Sequence, residues 1–245
     1  MVFLPSVKQL ALHMNNPKAP IAVALDLPHL EDVKRIAEHV SPYVRILKIG
    51  LQTFYRDGRM ALDLAKETGC ELFLDVKLHD IPNTVAGACK SLSKFEPDYL
   101  TVHASGGIEM MKRAVSELPH TKITAVTVLT SLSKNDLAQW SGSSIEEYAS
   151  KLAESALTAG VGAIVCSGHE VESIRAIVGD TVEIIVPGIR NQSEKLDDQE
   201  RTMSLSEAIQ RGSDIVVIGR PITAADDPRT AAMQFANEYW SNYEK

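Results

Sequence analysis

The segment DVKLHDIPNT, residues 75–84, contains two aspartates and a lysine at a spacing that can support charge-based chemistry. Asp75 and Lys77 are two residues apart, so in a strand both side chains point to the same face. If that face is the interior of a barrel, the two groups form a close ion pair. Asp80 follows three residues later, beyond the predicted strand end, and Ile81–Thr84 is predicted to turn from a loop into a helix.

An isolated Asp-x-Lys pair is typical of a solvated salt bridge on an edge strand. In this segment the flanking residues are apolar on both faces of the strand, namely Phe73, Leu74, Val76 and Leu78. A buried charge costs several kcal/mol unless it is paired, so the presence of these charged residues in an apolar strand indicates a specific role. Lys48, in the LKIG segment of the preceding apolar run, raises the same question. Together they predict an alternating charge network of Lys48, Asp75, Lys77 and Asp80.

Two later segments pair glycine with arginine after an apolar run. They are VPGIR, residues 186–190, and VIGRPIT, residues 217–223. Glycine lets backbone N–H groups approach an anion, and arginine supplies a bidentate donor, so the pair indicates a phosphate site. Glycine and proline also simply punctuate loops. The polar segment 191–202 between them is compatible with a mobile lid and equally with an ordinary solvated loop.

Short apolar runs alternate with longer helical stretches along the chain. Each run is of strand length and rich in Val, Ile and Leu, as strands of a buried parallel sheet are. Eight units in a chain of 245 residues predict one closed (β/α)8 barrel, with an open doubly wound sheet as the competitor. The eight runs are Ile21–Leu27, Arg45–Gly50, Glu71–Leu78, Tyr99–Ala104, Ile123–Leu129, Gly162–Ser167, Glu183–Ile189 and Asp214–Gly219.

Amphipathic stretches between the runs predict helices over Leu30–Val40 and Ile145–Gly160, with Gly160 at the helix stop. No low-complexity linker or composition break divides the chain, so residues 1–245 are expected to form a single domain. Residues 1–18 are expected to form an N-terminal arm or short extra helix across the bottom of the barrel.

Polar residues recur at or just after the C-terminal ends of the apolar runs. The C-terminal face of a (β/α)8 barrel is where active sites are built, so this ring predicts one there. Its members are Asp26, Lys48, Asp75, Lys77, His103, Thr130, Ser131, Arg190 and Arg220.

Composition excludes several other classes of protein. Hydrophobic residues make up 44% of the chain and charged residues 23%, with a net charge of −7, whereas a nucleic-acid binder more often has a basic face. The three cysteines are too few and too far apart for a disulfide framework or a cysteine zinc site. No apolar run reaches the length of a membrane span and no secretory signal is evident, so a cytoplasmic protein without nucleic-acid or membrane partners is expected.

In their order along the chain, the motifs LDL, LKIG, DVKLHDIPNT, VHASGG, TVLTS, PGIR and IGRPIT closely resemble the bacterial orotidine 5'-phosphate decarboxylase family. The resemblance extends from Ile21 to Asp227. The Asp-x-Lys-x-x-Asp core is shared with a wider group of sugar-phosphate enzymes, and HDIPNT together with PGIR and GRPIT narrows the match. The resemblance implies a metal-free and cofactor-free decarboxylation of orotidine 5'-phosphate (OMP) to UMP and CO2, the last step of UMP synthesis.

The resemblance also implies roles for individual residues. Lys48, Asp75, Lys77 and Asp80 match the catalytic charge network, and Lys77 matches the general acid that protonates C6 of the pyrimidine. The family forms homodimers in which the positions of Asp80, Ile81 and Thr84 contribute to the partner's site. The implied substrate contacts are Asp26 and Lys48 to the ribose hydroxyls, Thr130 near the pyrimidine, and Gln199, Gly219 and Arg220 to the phosphate. Arg190 matches a binding position in the lid region, and Pro187 matches a further substrate-binding position.

Three alternatives remain at this point. A Mg²⁺-dependent sugar-phosphate lyase, such as a 3-keto-gulonate-6-phosphate decarboxylase or a hexulose-phosphate synthase, has a similar site but holds its metal with carboxylates. A non-catalytic phosphate-binding barrel would be expected to lack one of the catalytic charges. A purely structural barrel would use the polar ring only as a salt-bridge network.

Overall fold

The computed structural model describes residues 17–133, 135–136, 142–190 and 203–243, and eight parallel strands dominate this part of the chain. The (β/α)8 barrel expected from the sequence is confirmed. The strands are β1 (Ala19–Ala24), β2 (Val44–Ile49), β3 (Glu71–Leu78), β4 (Tyr99–His103), β5 (Lys122–Val126), β6 (Ala163–Val165), β7 (Glu183–Val186) and β8 (Ile215–Ile218).

The sheet is closed, which excludes the open doubly wound alternative. Each strand pairs with its sequence neighbour, and β1 also pairs with β8 through the register Ile21–Val216, Ala22–Val217 and Val23–Ile218. Because all strands are parallel, their carboxyl ends converge on one rim. Every residue that follows a strand is therefore brought to the same end of the molecule.

Helices follow the strands and cover the outside of the barrel. Among the described residues they are α1 (Leu30–Val40), α2 (Leu51–Asp57), α3 (Arg59–Glu67), α4 (Pro82–Leu92), α5 (Ile108–Glu117), α6 (Ile145–Ala159), α7 (Val171–Val178), α8 (Leu205–Gln210), α9 (Arg220–Thr223) and α10 (Pro228–Tyr243). None of these helices is both long enough and apolar enough to cross a membrane.

The ends of these helices follow local chemistry. Ser144 caps α6 in a reciprocal capping box with Glu147, and Gly160 ends the helix in a left-handed conformation, as the sequence predicted. Pro82 starts α4, where its missing N–H costs no intrahelical hydrogen bond. Ser204 and Glu207 form a second capping box at the start of α8.

The barrel separates two apolar cores. The larger core lies between strands and helices and includes Val23, Leu47 and Leu74. The smaller core fills the barrel interior, where Phe73 and Tyr99 pack with ring centroids 5.5 Å apart. Alternate residues of each strand thus face different cores, which explains why both faces of the strands are apolar in the sequence.

Strand β3 departs from the regular strand that the sequence predicted. It pairs with β4 at Leu74–Leu100 and again at Leu78–Val102, so residues 75–77 of β3 lie opposite Thr101 alone. Lys77 has a left-handed backbone, with φ of 48°. Because the bulge adds two residues and not one, the alternation of faces resumes unchanged at Leu78, and Asp75 and Lys77 still face inward.

A set of charged and polar side chains closes the opposite end of the barrel, where the strands begin. We call it the basal cluster, and its members are Arg45, Glu71, Tyr99, Lys122 and Glu183. Arg45 Nε lies 3.3 Å from Glu71 Oε2, and Lys122 Nζ lies 2.7 Å from Glu183 Oε1. Tyr99 Oη donates to Glu183 Oε2 at 2.9 Å and accepts from Arg45 Nη2 at 3.2 Å.

Some sequence-based boundaries shift. The structure ends β1 at Ala24 and β5 at Val126, whereas the apolar runs continued to Leu27 and Leu129. The extra residues belong to the rim above the strands, where Leu27 accepts and donates hydrogen bonds to α2 side chains instead of a neighbouring strand. Of the expected N-terminal arm, residues 1–16 lie outside the described residues, and the single-domain prediction for 1–245 stays a prediction.

Candidate active site

A cavity of about 640 Å³ opens at the rim where the strands end. This volume suits a small organic ligand. Its floor is apolar and is formed by interior side chains, namely Ala24, Phe73, Val126, Val165 and Val217. Residues singled out from the sequence form much of the wall: Asp26, Lys48, Asp75, Lys77, Thr130, Pro187, Arg190, Gly219 and Arg220.

On one wall, Asp75 lies between two lysines. Lys48 Nζ is 2.9 Å from Asp75 Oδ2, and Lys77 Nζ is 2.7 Å from Asp75 Oδ1. The side chains of Lys48 and Asp75 are 10% and 14% exposed, and that of Lys77 is 29% exposed and reaches furthest toward solvent. We call these three residues the Lys–Asp–Lys network.

The electrostatics of this network follow from its two positive charges and its single negative charge. Burial by itself would raise the pKa of Asp75, but the ammonium groups of Lys48 and Lys77, and the hydrogen bonds they donate, hold that pKa far below its ordinary value of 3.8. Asp75 is therefore a carboxylate at neutral pH. Two cations on one anion leave an excess positive charge beside an apolar floor, where charges interact strongly.

Asp26 is held at the rim between β1 and β2 by the first turn of α2. The backbone N–H of Thr53 donates to Asp26 Oδ1 at 2.9 Å, so Asp26 caps a helix whose own N-cap residue, Gly50, has no side chain. A Cβ on Gly50 would lie 2.7 Å from Asp26 Oδ2, so a larger residue would displace the Asp26 carboxylate. The glycine of LKIG thus makes room for the carboxylate.

The opposite wall comes from the segments after β7 and β8. Gly188 has φ of 80°, a conformation that favours glycine, and Gly219 precedes the short helix α9, whose first residue is Arg220. In (β/α)8 barrels the loops after these two strands and a short extra helix frequently form a phosphate site. Arg190 and Arg220 both line this wall, and an arginine is a strong hydrogen-bond donor to an anion.

The polar segment after β7 is closed at its base by backbone hydrogen bonds. The N–H of Arg190 donates to the carbonyl of Met203 at 3.0 Å, and the N–H of Met203 donates to the carbonyl of Gly188 at 3.3 Å. This pairing keeps Arg190 at the cavity wall. The intervening residues 191–202, and with them Gln199 and the predicted lid, lie outside the described residues.

Three of the predicted site residues are exposed at the start of α4 and are not among the residues that line the described cavity. Asp80 accepts a hydrogen bond from the N–H of Ile81, and Thr84 is also exposed. The Ile81 side chain is 68% exposed, which is unusual for an isoleucine. Within one chain and among the described residues, Asp80 forms no salt bridge with Lys48 or Lys77, whose carboxylate partner is Asp75.

The structure also adds residues that sequence reasoning missed. Gln52, Cys166 and Thr223 line the cavity. Gln52 is the second residue after LKIG, so its position just beyond a strand end was a usable signal. Thr101 contacts both Asp75 and Lys77, and the signal for it was a hydroxyl within the apolar run YLTVH.

In the part of the chain that the structure describes, no three His, Cys, Asp or Glu side chains are grouped as a metal site requires.

A closed (β/α)8 barrel with a charged cavity at the carboxyl ends of its strands is the architecture of barrel enzymes. Comparison with known sequences identifies the family. Residues 19–235 match the model of the "Orotidine 5'-phosphate decarboxylase / HUMPS family". The chain belongs to this family.

Relatives and solved structures agree with this assignment. The chain is 46% identical over 224 residues to the orotidine 5'-phosphate decarboxylase of Thermobifida fusca (strain YX), covering 90% of this chain and 95% of the relative. It is 43% identical to that of Anaeromyxobacter sp. (strain K), covering 90% and 98%. The crystal structure of orotidine 5'-phosphate decarboxylase from Lactobacillus acidophilus superposes with a TM-score of 0.79 at 33% identity, covering 91% of this chain and 99% of that one.

Proposed function

We propose that this chain decarboxylates OMP to UMP and CO2, the last step of UMP synthesis, without a metal or cofactor. The observation that carries the proposal is the Lys–Asp–Lys network on the wall of a cavity whose opposite wall suits a phosphate. The names of the relatives at 40–46% identity support OMP as the substrate.

The order of functional groups around the rim fits a nucleoside monophosphate. The anion-binding segments follow β7 and β8, Asp26 follows the adjacent β1, and the Lys–Asp–Lys network lies on the next two strands. A ligand that spans the cavity in this order places its phosphate near Arg220, its ribose hydroxyls near Asp26 and Lys48, and its base near Lys77. Thr130, after β5, borders the base from the far side.

The chemistry follows from the charge on Lys77. When the bond between C6 and the carboxyl carbon breaks, CO2 leaves and the electron pair stays on C6. The Lys77 ammonium stabilises the developing carbanion and then transfers a proton from Nζ to C6, which gives UMP. Neutral Lys77 regains a proton from solvent after product release. Asp75 holds both lysines in place, so little reorganisation is needed as charge develops.

The phosphate is remote from the carbon that reacts. Its binding energy at Gly219, Arg220 and the segment after β7 orients the ring against Lys77, so remote contacts lower the barrier at C6. Arg190 and Gln199 are proposed to contribute to this grip.

OMP turnover by the purified protein, measured with and without EDTA, tests the proposed reaction. Loss of the orotate absorbance and formation of UMP at the same rate under both conditions are expected. If the folded protein leaves OMP unchanged, the proposal fails, and Mg²⁺-dependent turnover of sugar phosphates is the next reaction to measure. Turnover of OMP that EDTA abolishes contradicts the metal-free mechanism alone.

We further propose a homodimer in which Asp80, Ile81 and Thr84 complete the partner's site. In support, apolar side chains are exposed beside the same rim: Ile81 at the start of α4 is 68% exposed and Tyr55 on α2 is 79% exposed. Exposed apolar residues on neighbouring units are typical of an interaction surface. Asp80 would then approach the Lys77 of the partner subunit and restore the fourth charge of the network.

Mixing two inactive variants tests this arrangement. In a heterodimer of Lys77→Ala and Asp80→Ala subunits, one site has both wild-type residues only if Asp80 acts across the interface. Random assortment should then recover about a quarter of the wild-type activity, because isologous dimers exchange the same surface. No recovery from a mixture that has demonstrably exchanged subunits would contradict the shared site.

The cysteines support a reducing compartment. Cys70, Cys89 and Cys166 are buried and form no disulfide with one another, and burial raises the pKa of the Cys89 thiol to about 11. We propose that the protein works in the cytoplasm with small-molecule substrate and product.

A further inference from the structure

Thr101 is a fully buried residue of β4 that touches both members of the Asp75–Lys77 ion pair. Its Oγ1 donates to Asp75 Oδ1 at 3.1 Å and accepts from the backbone N–H of Lys77 at 2.8 Å. Lys77 Nζ donates to the same Asp75 oxygen at 2.7 Å. A closed ring of hydrogen bonds therefore joins the three residues.

The ring forms where β3 is irregular. Residues 75–77 bulge against Thr101, and Lys77 has a left-handed backbone, which is strained for a residue other than glycine. A regular parallel ladder would give the N–H of Lys77 a backbone carbonyl as its acceptor. Here the Thr101 hydroxyl takes that place, so one side chain supports both the bulge and the ion pair.

We propose that Thr101 is a positioning residue for the decarboxylation. It holds the backbone of Lys77 in its bulged conformation and fixes the Asp75 carboxylate, so that Lys77 Nζ is directed into the cavity. This inference rests on the proposed function, because the geometry matters only if Lys77 acts on the substrate.

The chemistry of a hydroxyl explains why this position needs threonine or serine. A hydroxyl donates one hydrogen bond and accepts others, so it can satisfy Lys77 N–H and Asp75 Oδ1 at once. Valine has nearly the same volume and can do neither. Thr101→Val therefore leaves a buried N–H without its acceptor in a strained bulge, and Lys77 Nζ is no longer held at one distance from the reacting carbon.

Thr124 on β5 provides a matched control. It pairs in register with Thr101 and is also fully buried, but its Oγ1 donates to the carbonyl of Lys122. Thr124→Val makes the same chemical change at the same level of the barrel, two strands away from β3 and its part of the Lys–Asp–Lys network. Any general effect of removing a buried hydroxyl should appear in both variants.

Steady-state kinetics of four proteins test the inference: wild type, Thr101→Val, Thr101→Ser and Thr124→Val. In Thr101→Val we expect kcat to fall roughly 10- to 100-fold while KM changes less than about threefold, because misplacing the reacting group leaves the phosphate grip intact. Thr101→Ser, which retains the hydroxyl, should recover most of kcat. Thr124→Val should keep the wild-type kcat.

Amide hydrogen exchange gives a second measurement that does not depend on activity. The N–H of Lys77 should exchange at least about tenfold faster in Thr101→Val than in wild type or Thr124→Val, because its acceptor is gone. If Thr101→Val does not fold, Thr101→Ala, which adds no apolar methyl beside Asp75, replaces it in both measurements.

The outcomes separate this inference from the proposed function. If wild type converts OMP but Thr101→Val and Thr124→Val have equal kcat values, the positioning role is wrong and the proposed function stands. An equal loss of kcat in Thr101→Ser and Thr101→Val also overturns it, since the hydroxyl would then not be the cause. If wild type does not convert OMP, the proposed function fails and the positioning role fails with it.

Discussion

The two ends of the barrel both have ion clusters built on β2 and β3, yet they differ in charge balance and surroundings. In the basal cluster, Arg45 and Lys122 face Glu71 and Glu183, so cations and anions are equal in number. In the Lys–Asp–Lys network at the other end, two cations share one carboxylate. The Lys–Asp–Lys network lines the cavity at the rim, and none of the basal-cluster residues lines that cavity.

Because of this difference, similar residues can stabilise the barrel at one end and support chemistry at the other end. A balanced cluster satisfies its own charges and has no electrostatic reason to bind a ligand. Within one chain, the Lys–Asp–Lys network has an excess positive charge beside an apolar floor. In the proposed dimer, Asp80 of the partner subunit would balance that charge but leave the Lys77 ammonium in the cavity, where it favours a developing carbanion. The imbalance has a cost in stability that the rest of the barrel must offset, as is common at functional sites.

Removing the central carboxylate at each end of the barrel should give the largest difference in activity between the two ends. Asp75→Asn leaves two buried ammonium groups together, so we expect kcat to fall by about 10³-fold or more and the free energy of unfolding to fall by about 3 kcal/mol. Glu183→Gln should leave kcat unchanged and cost less stability, because its partners Arg45 and Lys122 are 32% and 47% exposed. Kinetics and urea unfolding measure both. A similar loss of kcat in both variants would show that the ends do not differ as described.

Arg220 tests the anion site at the active end. Arg220→Ala should lower kcat/KM for OMP about 100-fold, the effect of losing charged hydrogen bonds to a phosphate, while the fold survives. Arg229→Ala, an exposed arginine on α10 outside the cavity, is the control. Unchanged kinetics in Arg220→Ala would remove the phosphate assignment.

Tyr99 tests the structural end. Burial, assisted by the Glu183 carboxylate, raises the pKa of Tyr99 well above its ordinary value of 10.0, so the phenol keeps its proton and remains a donor to Glu183. Tyr99→Phe should lower the free energy of unfolding by about 1 kcal/mol without changing kcat. A clear decrease of kcat would mean that the basal cluster is coupled to the site.

The smallest expected effect concerns pH. Burial lowers the pKa of His103, and the neighbouring His79 and Lys77 lower it further, whereas Asp75 acts in the opposite direction. A histidine with a depressed pKa binds its proton more readily in the unfolded state, so stability should fall as pH drops below the ordinary value of 6.5. The fall levels off once pH passes below the folded-state pKa. The thermal midpoint of His103→Gln should depend less on pH in that range, and an identical dependence would exclude His103 as its source.

Much of the fold followed from the sequence because a buried parallel strand must be apolar on both faces. Each of the eight apolar runs overlaps a strand, and the polar residues after them meet at one rim because the sheet is parallel. The pairing of Asp75 with Lys77 also followed, since a two-residue spacing keeps both side chains on one face.

Other features could not be predicted because they depend on contacts between distant residues. The bulge in β3 leaves the alternation of inward and outward side chains intact, so the local sequence pattern does not indicate the bulge. The capping of α2 by Asp26 joins residues 27 positions apart, and Arg45 resembled an ordinary strand residue until β4 and β7 brought Tyr99 and Glu183 to it. The exposure of Asp80 could not be predicted either, because its closeness to Lys77 in the sequence had placed both residues in one predicted charge network.

The central claim is that Lys77 supplies the charge and the proton at C6. Its most direct test compares wild type and Lys77→Ala in EDTA, following UMP formation, with Lys122→Ala of the basal cluster as a control. We expect rapid turnover by wild type and Lys122→Ala, and a loss of roughly 10⁴-fold or more in a folded Lys77→Ala protein. Turnover by Lys77→Ala at the wild-type rate would contradict the proposed role of Lys77.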